Sequence, residues 1–243
     1  MFPSTPSAIR SVMKPVLSRL ALSVASFFLM AGAIGRPLSP EQLPEPPKLV
    51  ICAACHGTQG EGGAPGAPRL GGQDTAYLEH ALIMFKSRTR ASPIMLPIAA
   101  SLSDSEIHDL AVYFGSLKGT RVLEAASPPA RLVEAGRLLA YEGAQSDSTP
   151  ACFSCHGPTG HGVGARFPGI AGQPITFIVD RLHEFQARAK TGTPAPASMT
   201  SVAATMSESQ ITETAAYLST LSPWPDASSV SKLPAVSSST NGP

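Results

Sequence analysis

The chain has 243 residues, 43% hydrophobic and 14% charged, with four cysteines and a formal net charge of +1. That length accommodates one or two domains with real cores. Its 18 basic and 17 acidic side chains are nearly balanced, and no Lys/Arg-rich stripe marks a nucleic-acid surface, so nucleic acid is not expected as a partner.

Residues 1–33 read as a secretory signal peptide. Arg10, Lys14 and Arg19 are followed by an apolar run from Leu20 to Ile34, with Ala31-Gly32-Ala33 as the small-x-small cleavage site. The run, about 15 residues, falls short of the roughly 20 that span a bilayer, which favours cleavage over an anchor. Without the leader's three cations the mature chain has 15 basic and 17 acidic residues, a net charge of −2.

Residues 34–47 are Pro-rich and extended. A short helix is expected from about Pro47 to His56, then a Gly/Pro loop over 57–72. Asp74 is placed to cap a helix running to about Arg88, with Tyr77, Leu78, Ala81, Leu82 and Phe85 at helical spacing. Ala91–Ala100 is expected to be a loop around Pro93 and Pro97. Ser103 and Glu106 form a capping-box pattern that opens a helix to about Leu117. A linker follows over 121–130, then a helix from about Ala130 to Tyr141.

From there the chain repeats itself. Pro168 answers Pro68, and Gly172-Gln173 answers Gly72-Gln73, both at an offset of 100. Four extra residues after Lys190 move the last helix to an offset of 104, where Ser207 and Gln210 repeat the capping box and Tyr217 answers Tyr113. Residues 222–243 are Ser/Pro-rich and expected to be disordered. The pattern predicts an all-α protein of two tandem domains, residues 34–120 and 131–221, each with three or four helices.

All four cysteines lie in two short motifs, Cys52-Ala53-Ala54-Cys55-His56 and Cys152-Phe153-Ser154-Cys155-His156. Each is C-x-x-C-H, the attachment signature of c-type haem. Two thiols one helical turn apart can each add to a porphyrin vinyl group, and the adjacent histidine then sits under the ring as an iron ligand. The alternatives are a zinc site or a pair of redox dithiols. Zinc would draw its ligands from separate chain segments, whereas here each histidine directly follows its second cysteine. Two covalently attached haems c would supply apolar core that such loop-rich domains lack, so the chain without them is expected to fold poorly. In the c-type cytochromes that these motifs resemble, haem is attached outside the bacterial cytoplasm, in keeping with an exported chain.

An iron that only moves electrons needs a ligand on its second face. Met95 lies seven residues before Leu102 and Met199 seven before Met206, and Leu102 and Met206 are equivalent at the offset of 104. Met95 and Met199 are therefore equivalent, each expected in a loop before the last helix of its domain. Met84 and Met206 have no methionine counterpart and read as core. His80, His108, His161 and His183 do not repeat and read as surface or structural residues. His/Met ligation raises the reduction potential and leaves no open position on iron.

In these residues the chain resembles the tandem diheme class I cytochromes c of the cytochrome c4 type. The resemblance runs from about 47 to 221. It is carried by the two haem motifs, Pro68-Arg69-Leu70-Gly71-Gly72-Gln73, Phe167-Pro168-Gly169-Ile170-Ala171-Gly172-Gln173, Met95, Met199, Tyr113-Phe114 and Tyr217-Leu218. It implies two class I cytochrome c domains around covalent haem. Cys52, Cys55, Cys152 and Cys155 would be the attachment residues, with His56, Met95, His156 and Met199 as iron ligands. It also implies that carbonyls beside Pro68 and Pro168 accept from the axial histidines. In that family the first helix of a domain carries a Gly against the aromatic of the last helix. Gly136 fits opposite Tyr217, while Arg36 stands at the equivalent place in the first domain, so that helix is expected to be truncated.

The function implied is a periplasmic electron carrier between respiratory donors and an acceptor such as a terminal oxidase, with redox proteins as partners and no small-molecule substrate. Two other readings are a cytochrome subunit of a periplasmic dehydrogenase and a diheme peroxidase-like oxidoreductase. The last would require one iron without its methionine, and Met199 has the more Pro-rich approach.

Overall fold

The computed structural model describes residues 44–118 and 126–224. The expected leader, residues 34–43 of the lead-in with Arg36, residues 121–125 of the linker and the tail beyond Trp224 lie outside the described residues. The first half contains α1 (Leu49–His56), α2 (Thr75–Lys86), α3 (Met95–Ala100) and α4 (Asp104–Ser116). The second contains α5 (Ala130–Glu142), a 3₁₀ turn (Gln145–Asp147), α6 (Phe153–His156), α7 (Ile175–Ala189), α8 (Met199–Thr205) and α9 (Glu208–Thr220). Among the described residues β-structure is confined to isolated bridges, Ala144 with Thr149 and Val163 with Phe167. The all-α expectation holds.

Local chemistry sets the helix starts. The Asp74 side chain accepts from the Ala76 and Tyr77 amides and starts α2. Ser103 with Glu106 and Ser207 with Gln210 form complete capping boxes, so α4 and α9 begin at equivalent residues and run for 13 residues each. The inner face of α4 buries Ile107, Leu110, Ala111 and Phe114 as its spacing required.

Each half has its own core. Leu49, Leu78, Leu102, Ile107, Leu110 and Phe114 cluster in the first. Phe153, Ile178, Leu182, Met206, Ile211 and Leu218 cluster in the second. In the first half α2 packs on α3 and α4, and in the second α7 packs on α8 and α9. The second half adds α5 against α9. Gly136 makes that contact possible, since a Cβ there would lie 1.9 Å from the Glu213 carbonyl oxygen and 2.8 Å from Tyr217 Cβ.

One expectation fails. Met95 and Met199 are not in loops but are the first residues of α3 and α8. Pro97 is the third residue of α3, inside the first turn, where a proline's missing N–H costs no helical hydrogen bond. The Ser198 side chain caps α8 by accepting from the Ser201 amide. Short length and proline content made both segments read as loop.

The halves meet through a reciprocal pair of glutamines. Gln73 donates to the Gly169 carbonyl at 2.7 Å and accepts from the Gly169 amide at 2.9 Å. Gln173 accepts from the Arg69 amide at 2.9 Å and donates to the Arg69 carbonyl at 3.1 Å. Both side chains are 3% exposed, so these bonds form away from water, where an unpaired amide would be costly.

Candidate functional site

Helical spacing brings Cys52, Cys55 and His56 together at the C-terminal end of α1. The helix stops there because Gly57 takes φ +80°, a conformation disfavoured for residues with a Cβ. The second motif is built alike. Cys152 precedes α6, His156 ends it, and Gly157 follows at φ +82°.

His56 and His156 are buried, and each Nδ1 lies on a proline carbonyl: 2.8 Å to Pro68 and 2.7 Å to Pro168. A carbonyl can only accept, so Nδ1 carries the proton and Nε2 presents its lone pair. Burial pushes both histidines below the ordinary imidazole range and so keeps the rings neutral, while that hydrogen bond opposes the shift. A neutral, oriented imidazole is the form that binds a metal.

None of the four thiols is in a disulfide; Cys55 and Cys155 are exposed and Cys52 and Cys152 half-buried. Burial raises the Cys52 thiol and pushes Cys152 up to about 11. Reactive redox dithiols need the opposite, a lowered pKa. Among the described residues no cluster of three or more His, Cys, Asp or Glu is arranged to hold a metal ion. Two thiols and one free imidazole nitrogen per motif fit a haem bound by two thioethers and one axial histidine.

Met95 and Met199 are both half-buried at the start of equivalent helices. The Met95 amide donates to Ser92 Oγ at 3.0 Å, and Met199 packs against the second core. Met206 is core, as expected, and Met84 is half-buried on α2. The remaining histidines are engaged elsewhere or exposed. His108 meets Glu79, His183 meets Glu208, His161 bonds Thr159 and the Ser222 carbonyl, and His80 is exposed.

The two motifs differ in their surroundings. Phe167 stands edge-on to His156 at 6.3 Å between centroids, and Phe153 packs on Tyr141 at 4.9 Å. The equivalent residues in the first half are Ala67 and Ala53. Sequence reasoning missed the cross-pairing of the glutamines and the burial of Arg69. A Gly-Gln pair at the same place in both halves was the visible sign of the former.

Comparison with known proteins agrees with this geometry. The family model for cytochrome c matches residues 50–118 and 140–222. A "Thiosulfate dehydrogenase electron acceptor" of Stutzerimonas stutzeri (strain A1501) is 36% identical over 173 residues, covering 70% of this chain and 79% of that protein. Cytochrome c4 of Pseudomonas aeruginosa is 33% identical over 172 residues, covering 70% and 84%. The solved structure of Acidithiobacillus ferrooxidans cytochrome c4 superposes with a TM-score of 0.62 at 33% identity, covering 71% of this chain and 99% of that one.

Proposed function

The chain belongs to the cytochrome c family, as a diheme electron-transfer protein of the cytochrome c4 type with two covalent haems c, and from that premise we propose that both irons are sealed by His/Met ligation. His56 with Met95 and His156 with Met199 are the ligand pairs, and residues 34–120 and 131–221 are the two domains. The observation that carries this reading is the matched placement of Met95 and Met199 at the first residue of equivalent helices, in halves that each hold a neutral histidine on a proline carbonyl.

Haem iron, when bound, supplies a one-electron couple. The protein's part is to hold it still. Cys52 with Cys55 and Cys152 with Cys155 fix the ring by thioethers. Pro68 and Pro168 fix the histidine rings, so the bond to iron need not reorganise between oxidation states. The thioethers of Met95 and Met199 would favour ferrous iron and leave it no free coordination position.

The chain acts in the periplasm, exported by the leader in 1–33. Among the described residues no helix is long and apolar enough to cross a membrane. Its partners are redox proteins such as a membrane respiratory complex or terminal oxidase. A second reading, electron acceptor of a periplasmic dehydrogenase, is favoured by the named role of the Stutzerimonas relative.

The ligand assignment is tested by near-infrared absorption of the oxidised holoprotein. The Met-to-iron charge-transfer band should fall by about half in Met95→Ala and by about half in Met199→Ala. A band that keeps its full intensity in either variant removes that methionine from the ligand set.

A further inference from the structure

The loops that follow the two motif histidines are closed by the same bonds but carry different charge. In the first, the Gly60 amide donates to the Gly57 carbonyl at 3.1 Å and the Gly62 amide to the His56 carbonyl at 2.7 Å. In the second, Gly160 donates to Gly157 at 3.0 Å and Gly162 to His156 at 2.8 Å. The residue enclosed between these bonds is therefore held at the same place relative to its histidine in both halves. That residue is Glu61 in the first half and His161 in the second.

Glu61 is half-buried and turns back into its own loop. Its Oε2 accepts from the Gln59 amide at 2.9 Å, a charge-assisted bond that holds the carboxylate in place. The carboxyl group lies against Gly57, the residue next to His56, where an added Cβ would run into it. Glu61 enters none of the ion pairs of the described residues, and Lys48, the cation ahead of the motif, is taken by Glu106 at 3.3 Å and the Ser101 carbonyl at 2.7 Å. In the second half His161 bonds Thr159 and the Ser222 carbonyl and brings no negative charge. The anion therefore occurs once in a molecule whose halves otherwise repeat.

We propose that Glu61 is a potential-setting residue of the first half, a fixed negative charge beside His56 that biases an electron toward the second half. This rests on the two-haem reading. Oxidation of an iron held by a neutral histidine and a neutral methionine adds one positive charge. A carboxylate next to that histidine favours the oxidised, more positive state and so lowers the potential of the first couple alone. Its half-burial leaves the interaction less screened than between exposed charges.

The test uses the full-length holoprotein. Mass first establishes two haems per chain; a different count fails the two-haem reading itself. With that count in hand, redox titration at low ionic strength should show one of the two one-electron waves raised in Glu61→Gln by about threefold in its equilibrium constant, ~28 mV. Glu61→Lys changes the charge by two and should raise the same wave by about tenfold, ~59 mV. Salt at 1 M, where the Debye length is about 3 Å, should narrow both shifts. The wave that leaves the high-potential range in Met95→Ala belongs to the first half, and it should be the one that Glu61 moves. Unmoved waves, both waves moved equally, Lys behaving as Gln, shifts that salt leaves unchanged, or movement of the second half's wave overturn the proposal. Glutamine keeps an oxygen for the Gln59 amide, so the loop is retained. A Glu61→Gln protein with fewer than two haems would give the carboxylate a structural role instead and overturn the proposal as well.

Discussion

At each motif the chemistry depends on atoms only one or two bonds from the backbone. The Pro68 and Pro168 carbonyls decide which imidazole nitrogen carries the proton, and Gly57 and Gly157 end the helix so that the ring is not followed by another turn. Within each pair the two cysteines are not equivalent, since Cys52 is half-buried and Cys55 exposed. Cys55→Ser should leave a single thioether in the first half while the chain keeps two haems by mass. The pyridine haemochrome band should then move to longer wavelength, and an unshifted band would show that Cys55 forms no thioether. These motifs were fully legible in the sequence because spacing along one helical turn is local. The aromatic surroundings of His156 were not, because Phe167 reaches it across a Gly-rich loop.

Helices place these atoms, and their ends are where sequence and structure agree most closely. Both capping boxes form as expected because each needs only residues three apart. Ser207→Ala should cost about 1 kcal/mol. For a half of this size that lowers the midpoint of thermal unfolding by roughly 4–8 °C, read by the loss of helical circular dichroism. The crossing of α5 on α9 is more sensitive. Gly136→Ala puts a methyl group into the Glu213 carbonyl and should cost about 1–3 kcal/mol; an unchanged midpoint would show that the helices can part without loss. The short helices α3 and α8 were illegible, because turn-forming prolines and serines outweigh about two turns of helix in any local reading. Their position next to α2 and α7 supplies packing that local propensity lacks.

Across the whole molecule, duplication was legible as two offsets, but the way the copies join was not. The bonds between Gln73 and Gly169 and between Gln173 and Arg69 link residues 96 and 104 apart, beyond any local pattern. Each ties one half to the residue beside the other half's histidine-fixing proline. Replacing both glutamines by leucine leaves the Arg69 and Gly169 backbone groups without these partners, at about 1–3 kcal/mol per unsatisfied group. Calorimetry of that double variant should show two separated transitions where the unmutated protein shows one. A single transition would mean that other contacts couple the halves.

Whether the molecule only carries electrons turns on whether either iron has an open face. Carbon monoxide added to the fully reduced, unmutated holoprotein at neutral pH reads this directly. With Met95 and Met199 in place, the visible spectrum should not change at either haem. Rapid binding of one equivalent would mean that one iron lacks its methionine, contradict the sealed-carrier reading and favour a peroxidase-like reaction at that half.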